Sequence, residues 1–296
     1  VYSQTGRYDK AIIFYNKALI TAKDRSDILY NIGVAYFFKK DFDLSEKYYK
    51  EAYKLDPYND ILKKNYALLL LAQQKYKDAW LIYDGRLNLS DFLFKNSTLN
   101  NVKDKLWNNQ VLKKGDKILI IKEQGIGDEI LFSSMYPELI KSFPNCYIET
   151  EKRLLNLFKN SFVNNNNFIE FGKISKKRKL LTDIDHIIYA GSLGKIYRNN
   201  ITDFPLKNYL KASDLDKNLT SFLLKFKNQI KVGISWKSKA LIGTDKSINL
   251  EDFKQILLNK KFTFFNLQYY DSEEEIKVFE KENSSIKINN LEKVDL

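Results

Sequence analysis

Aromatic residues return at a fixed step in the first third of this 296-residue chain: Tyr15, Tyr49 and Tyr83 lie 34 residues apart. The same step links Tyr8 to Phe42 and Tyr76, Ala11 to Ser45 and Ala79, and Ala18 to Ala52. Self-similarity at such a period means repeated supersecondary units. Each unit cannot bury its apolar face alone, and stacking buries it against a neighbour. The small residues permit close helix packing, and the aromatics fill the space between helices. Pro57 ends one unit, because proline cannot continue a helix. The first unit lacks its first helix, and the third, from Asp60 to about Leu93, departs from the pattern near its end.

The segment Asn31-Ile32-Gly33 with Tyr36, Phe42, Tyr49, Ala52 and Leu55-Asp56-Pro57 closely resembles the tetratricopeptide-repeat consensus. Residues 1–93 are therefore expected to form a helical array. Two uses stand open for it: a concave surface for a partner protein, or a helical extension bracing the next domain.

After a polar, asparagine-rich connection over 94–114, anchored by Trp107, strand and helix signals alternate. Strands are expected at 117–122, 146–149, 168–171 and 186–189, with helices at 128–142 and 152–159. Such alternation predicts a parallel sheet covered by helices on both faces. A helix near 219–226 leads into a second pattern: strands at 231–236, 262–268 and 285–288, and helices at 250–258 and 273–280. The expected class is α + α/β, with a helical array ahead of a Rossmann-like domain over 115–228 and an incomplete second one over 229–296.

The turn Glu123-Gln124-Gly125-Ile126-Gly127-Asp128 joins the first expected strand to its helix. Glycine lets a backbone turn sharply and lets a ligand approach closely. A helix start offers unpaired N–H groups and partial positive charge to an oxyanion. The dinucleotide pattern G-x-G-x-x-G fails at Ile130, and no Gly-Lys-Ser/Thr follows for a P-loop. Asp128 is equally suited to capping the helix and to acting in a cleft. Glu123 reads as a solvated loop charge.

A second loop follows Ile234-Ser235-Trp236-Lys237-Ser238 and carries Gly243, Thr244 and Lys246. Hydroxyls, a lysine and free backbone N–H groups are what a diphosphate needs. In a lysine-rich chain an ordinary surface loop explains the same residues. Asn249 is placed to cap the next helix, with Asp252 near its third position.

The net charge of +12 comes mainly from lysines spread along the whole chain, which reads as compositional bias, with no specific nucleic-acid site. It still favours anionic partners, and leaves peripheral contact with an anionic inner membrane open. The densest basic stretch, Lys173 to Lys179, reads as a solvated loop. No apolar run reaches the roughly 18 residues of a membrane span. One cysteine, Cys146, excludes an internal disulfide, and with one histidine, His186, it makes no zinc site. A cytoplasmic setting is the default, and His186 reads as a structural residue. Both chain ends look cut.

Together, Glu-Gln-Gly-Ile-Gly-Asp (123–128), Gly-Ile-Ser-Trp-Lys-Ser (233–238), Asp-Lys-Ser-Ile (245–248) and Phe-Asn-Leu-Gln-Tyr (265–269) resemble bacterial tetratricopeptide-repeat proteins carrying a glycosyltransferase domain. That domain is similar to the ADP-heptose:lipopolysaccharide heptosyltransferases. Ala190-Gly-Ser-Leu-Gly194, with Phe204-Pro205 and Tyr209-Leu210, fits the end of the same family's acceptor domain. The resemblance implies a GT-B architecture and an inverting transfer from a nucleotide sugar to a glycan or protein acceptor, with no separate cofactor or metal. By motif, Asp128 matches the general base and Lys246 a lysine on the donor phosphates. Ser235, Ser238 and Thr244 fall where phosphate contacts are expected, and Gly125 and Gly127 form the cleft turn. The family's later nucleotide motif, an Asp before a Thr-Ala-His-like turn, has no counterpart here. The expectation is that this polypeptide alone is inactive. The alternative is an interaction scaffold whose transferase domain does not turn over.

Overall fold

The computed structural model describes residues 6–89, 102–163, 167–212, 217–238 and 247–291. Five helices come first: α1 (Tyr8–Thr21), α2 (Ser26–Phe38), α3 (Phe42–Leu55), α4 (Asp60–Ala72) and α5 (Tyr76–Tyr83). The starts of α1, α3 and α5 repeat the 34-residue step of the sequence, as do those of α2 and α4. Asp41 caps α3 by accepting from the Leu44 N–H at 3.2 Å, and Asn59 caps α4 through the Leu62 N–H at 3.0 Å. Lys40 and Gln74 occupy equivalent turns with the same left-handed φ of 61°. Gly33 is a glycine for a packing reason: a Cβ there would lie 2.6 Å from the Tyr49 ring. Tyr49 thus reaches the backbone of α2 and joins Leu29, Ala52, Leu62, Leu69 and Ala79 in the array core.

After α5 the chain tightens into a 3-10 turn over Asp84–Asn88. Gly85 permits it, since a Cβ would meet Lys63 Cβ at 2.7 Å. This is the physical form of the repeat's departure from pattern.

The sheet that follows has four parallel strands in the order β3-β2-β1-β4: β1 (Ile118–Ile121), β2 (Tyr147–Thr150), β3 (Phe168–Glu170) and β4 (His186–Tyr189). All four residues of β1 are buried, as a central parallel strand covered on both faces requires. One face packs on α6 (Ile126–Ser133), α7 (Tyr136–Ser142) and α8 (Leu155–Ser161) through Phe132, Tyr136, Leu139 and Phe158. The other is closed by Ile169, Ile174 and Ile184, with Leu106 and Leu180 against them. Trp107 packs against the first face and donates its backbone N–H to the Ile187 carbonyl at 2.9 Å.

Two expectations change here. The single helix over 128–142 is two helices, because Pro137 lacks the N–H to continue the first and instead opens the second. The stretch Lys173–Lys179 is no solvated loop: it holds a 3-10 turn with buried Ile174 and leads into α9 (Arg178–Asp183). His186 lies at the amino end of β4, 3.3 Å from Asp116 and 3.2 Å from Gln110.

By packing the chain divides into two compact units, Val1–Ser213 and Asp214–Leu296. The second contains α11 (Lys217–Leu224), which follows the short α10 (Gly194–Tyr197), and a three-stranded parallel sheet. Its strands β5 (Ile230–Ile234), β6 (Phe262–Asn266) and β7 (Ile288–Asn290) are ordered β5-β6-β7. Strand β7 starts three residues later than the end-of-chain pattern suggested. The core of this unit gathers Ile234, Trp236, Phe264, Ile276 and Phe279. Among the described residues no helix is long and apolar enough to cross a membrane.

Candidate functional site

In an open parallel sheet, ligands bind beyond the carboxyl ends of the strands, where the strand order reverses. Here the reversal falls between β1 and β4. The turn after β1 is Lys122 to Gly125, and Gln124 holds a left-handed φ of 60° within it. Helix α6 then starts, with Gly125 as its N-cap. Asp128 sits at the third helical position, not at the cap itself, and its Oδ2 accepts the Gly125 N–H at 3.2 Å. It is half-buried, so capping and access to solvent coexist. Gly125 and Gly127 share this turn with Asp128. A Cβ on Gly127 would meet nothing within 4 Å, and one on Gly125 would make only an ordinary contact, 3.6 Å from Asp128.

Glu123 overturns the expectation of a solvated charge. Its side chain is 0% exposed and ion-paired with Arg86, itself 3% exposed. Arg86 Nε donates to Glu123 Oε2 and Nη2 to Oε1, both at 2.7 Å, a two-pronged pairing only a guanidinium can make. Glu123 Oε1 also accepts the Gly191 N–H, tying the end of β1 to the turn after β4. A Cβ on Gly191 would lie 2.7 Å from that oxygen and 2.9 Å from Arg86 Nη2. Arg86 further donates to the Tyr83 carbonyl (3.1 Å), Asp84 (2.7 Å) and Ser192 Oγ (3.1 Å). Lys195 closes the set with a 2.6 Å pair to Asp84. Burial pushes the Asp84 carboxyl up, but Arg86 and Lys195 outweigh it and hold it below the usual range. Burial likewise works against the Arg86 charge, and Glu123 more than reverses this.

A second buried group lies beside the turn. Glu129, fully buried on α6, accepts from Thr150 Oγ1 and from the Glu151 N–H at 3.0 Å. Its Oε2 lies 3.7 Å from Lys122 Nζ, which is 3.4 Å from Glu151 and sits over the Phe171 ring. Burial raises the Glu129 pKa. Glu149 on β2 is also buried and accepts the Gly172 N–H at 3.3 Å; burial raises its pKa to about 7.

In the second unit, Ser235 and Ser238 lie on one loop after β5. Gln268 organises it: one oxygen, Oε1, accepts from Ser235 Oγ (3.2 Å) and from the N–H groups of Trp236 (3.0 Å) and Lys237 (3.1 Å). Its Nε2 donates to the Lys237 carbonyl at 2.7 Å. The Ser238 N–H donates to Ser247 Oγ at 3.0 Å. Lys237 pairs with Glu275 at 2.7 Å, which raises the lysine's pKa. Thr244 and Lys246, with Gly243, lie outside the described residues. Asn249 opens the next turn, its N–H held by Asp252 at 3.0 Å. Among the described residues no group of His, Cys, Asp and Glu is arranged to hold a metal ion.

Arg86, Lys122, Glu129 and Glu149 escaped the sequence reading. For Arg86 a signal exists, since it follows Gly85 where the repeat pattern fails.

Comparison with known proteins places tetratricopeptide repeats in the helical array: family models of that repeat match residues 26–59 and 1–19. The repeats support a protein-interaction scaffold. The chain is also 28% identical over 248 residues to Protein FlbA of Caulobacter vibrioides, across 78% of this chain and 40% of that protein. The chain thus spans well under half the length of this curated relative.

Proposed function

We propose that the chain forms the acceptor side and part of the donor side of an inverting, heptosyltransferase-like glycosyltransferase of GT-B architecture, mounted on a tetratricopeptide array. The observation that carries the reading is Asp128. Its carboxylate is half-buried in the first turn of α6, at the carboxyl end of a parallel sheet, beside glycines that the protein's own packing does not demand. Open space at Gly127 is what close approach of a substrate needs.

In this reading residues 115–228 hold the acceptor and 229–296 contribute to the nucleotide-sugar site. Asp128 takes the proton of an acceptor hydroxyl as its oxygen bonds to the anomeric carbon. The bond from that carbon to the diphosphate oxygen breaks in the same step, with inversion. Lys246 and the hydroxyls of Ser235, Ser238 and Thr244, with loop N–H groups, stabilise the charge that develops on the leaving diphosphate. Gln268 supports this role by holding the Ser235–Lys237 backbone in one conformation.

The test is Asp128→Asn in the full-length protein, with nucleotide release followed on ADP-, UDP- and GDP-sugars. Turnover is expected to vanish while donor binding by calorimetry persists; undiminished turnover overturns the reading.

One observation favours a second reading, an interaction scaffold without transfer. Arg86 and Glu123 fill the place where strand order reverses, the usual ligand crevice of such a sheet. That reading expects a wild-type protein inert toward all nucleotide sugars that still binds a protein partner through the array.

A further inference from the structure

The helical array does more than precede the sheet. Its last helix and the 3-10 turn beyond it reach the ligand turn directly. Tyr83, the last residue of α5, has its hydroxyl 3.2 Å from Gln124 Nε2. Arg86, three residues on, grips Glu123 with two hydrogen bonds of 2.7 Å. Glu123 and Gln124 are the two residues before Gly125, whose N–H binds Asp128. From array to carboxylate there are therefore two contacts in series, one from Arg86 or Tyr83 to residues 123–124 and one from the Gly125 N–H to Asp128.

We propose that Arg86 and Tyr83 are positioning residues for the Asp128 turn, so that the end of the repeat array is a built part of the candidate site. Three observations converge on this. Gln124 sits in left-handed backbone, φ 60°, an uncommon conformation for a non-glycine residue that Lys40 and Gln74 also adopt in their turns. On either side of it, Glu123 is locked by Arg86 and the Gly191 N–H, and Tyr83 meets the Gln124 side chain. The cluster is closed in charge: Arg86 and Lys195 face Glu123 and Asp84, all four linked by contacts of 2.7 Å or less. Removing Arg86 or Glu123 alone leaves the other as an unpaired or half-paired buried charge, a strong penalty, whereas removing the two together does not. Arg86 also stacks its guanidinium 4.1 Å over the Tyr83 ring, so the two act as one rigid unit. Neither touches substrate in this scheme. They set the direction of the Asp128 carboxylate and of the first N–H groups of α6.

The proposal rests on the transferase reading for its catalytic consequence but not for its structural one, and the experiment separates the two. The full-length protein is compared with Arg86→Lys, Tyr83→Phe and the paired Arg86→Met/Glu123→Leu. Lysine keeps the charge but cannot pair at two points. Phenylalanine keeps the ring and loses only the hydroxyl. The paired variant removes both buried charges and guards against simple unfolding. Amide hydrogen exchange at 123–128 is expected to rise at least tenfold in each variant, while exchange in α2 and α3 stays unchanged. With nucleotide sugars, Tyr83→Phe is expected to lose about tenfold in kcat with the donor KM unchanged. Wild-type exchange at 123–128 in all three variants overturns the proposal, as does a loss of turnover that only follows the folded fraction. An inert wild type sinks the transferase reading alone, and the exchange result then decides the positioning role.

Discussion

The indole of Trp80 lies where Gly194 would carry a side chain: a Cβ there would fall 2.6 Å from two atoms of the ring. The ring is held on two sides: its Nε1–H donates to the Arg198 carbonyl at 2.6 Å, and it packs edge-to-face with Tyr83. Array and sheet are thus packed through a backbone made bare for the purpose. Gly194→Ala is expected to destabilise the unit by about 1–3 kcal/mol, the usual cost of overpacking. Urea unfolding checks it: the midpoint should fall with little change in slope, and an unchanged midpoint would show that the ring can move.

Gly127 makes the opposite prediction. Nothing lies within 4 Å of its would-be Cβ, and its φ is ordinary. Gly127→Ala should leave stability unchanged or raise it by about 0.4–1 kcal/mol, through loss of unfolded-state freedom. If a substrate approaches this backbone, turnover should fall sharply in the same variant. Stability gained together with activity lost is a pattern that packing cannot produce, and full activity in Gly127→Ala would remove the glycine's functional reading.

In the second unit the sensitive atom is Gln268 Oε1, which accepts from three donors. Gln268→Ala strips partners from the N–H groups of Trp236 and Lys237 together. Each buried group so orphaned costs about 1–3 kcal/mol. The expected result is faster hydrogen exchange across 234–238 and a lower unfolding midpoint for this unit. Exchange at wild-type rates would mean that the loop is held by other contacts.

The array was legible because a 34-residue step in aromatic and small residues survives in one sequence without alignment. The strands were legible as apolar runs such as Ile118 to Ile121, which are buried on both faces. The Arg86–Glu123 pair was not. Its members lie 37 residues apart, and in a chain so rich in charge each reads as solvated. Burial of a charge is decided by a partner that folding alone brings near. The same holds for Glu149, a single carboxylate between Ile148 and Thr150, where period-two alternation suggests a wet face and the sheet instead covers both. The break between α6 and α7 has a signal at Pro137 that a single helix over 128–142 does not take into account.

Glu149 also carries a pH dependence whose sign is fixed by its burial. Folding raises its pKa from 4.5 to about 7, with burial the main cause and the Gly172 N–H and nearby Lys122 only partly offsetting it. Between those values the folded protein binds more protons than the unfolded chain, so stability falls as pH rises. The contribution is fully present below pH 4.5 and gone above about pH 7, and a rise of that size corresponds to about 3 kcal/mol. Glu149→Gln keeps the shape and removes the titration. Wild type and variant should unfold at similar urea concentrations near pH 4.5, and the variant should pull ahead up to about pH 7 and keep that lead to pH 8. Glu129, whose pKa burial also raises, acts in the same direction, and its charge helps to raise the Glu149 pKa, so the difference between the two proteins reports the titration of the pair. A difference between the two proteins that stays flat from pH 4.5 to 8 would show that Glu149 reaches water in the native state.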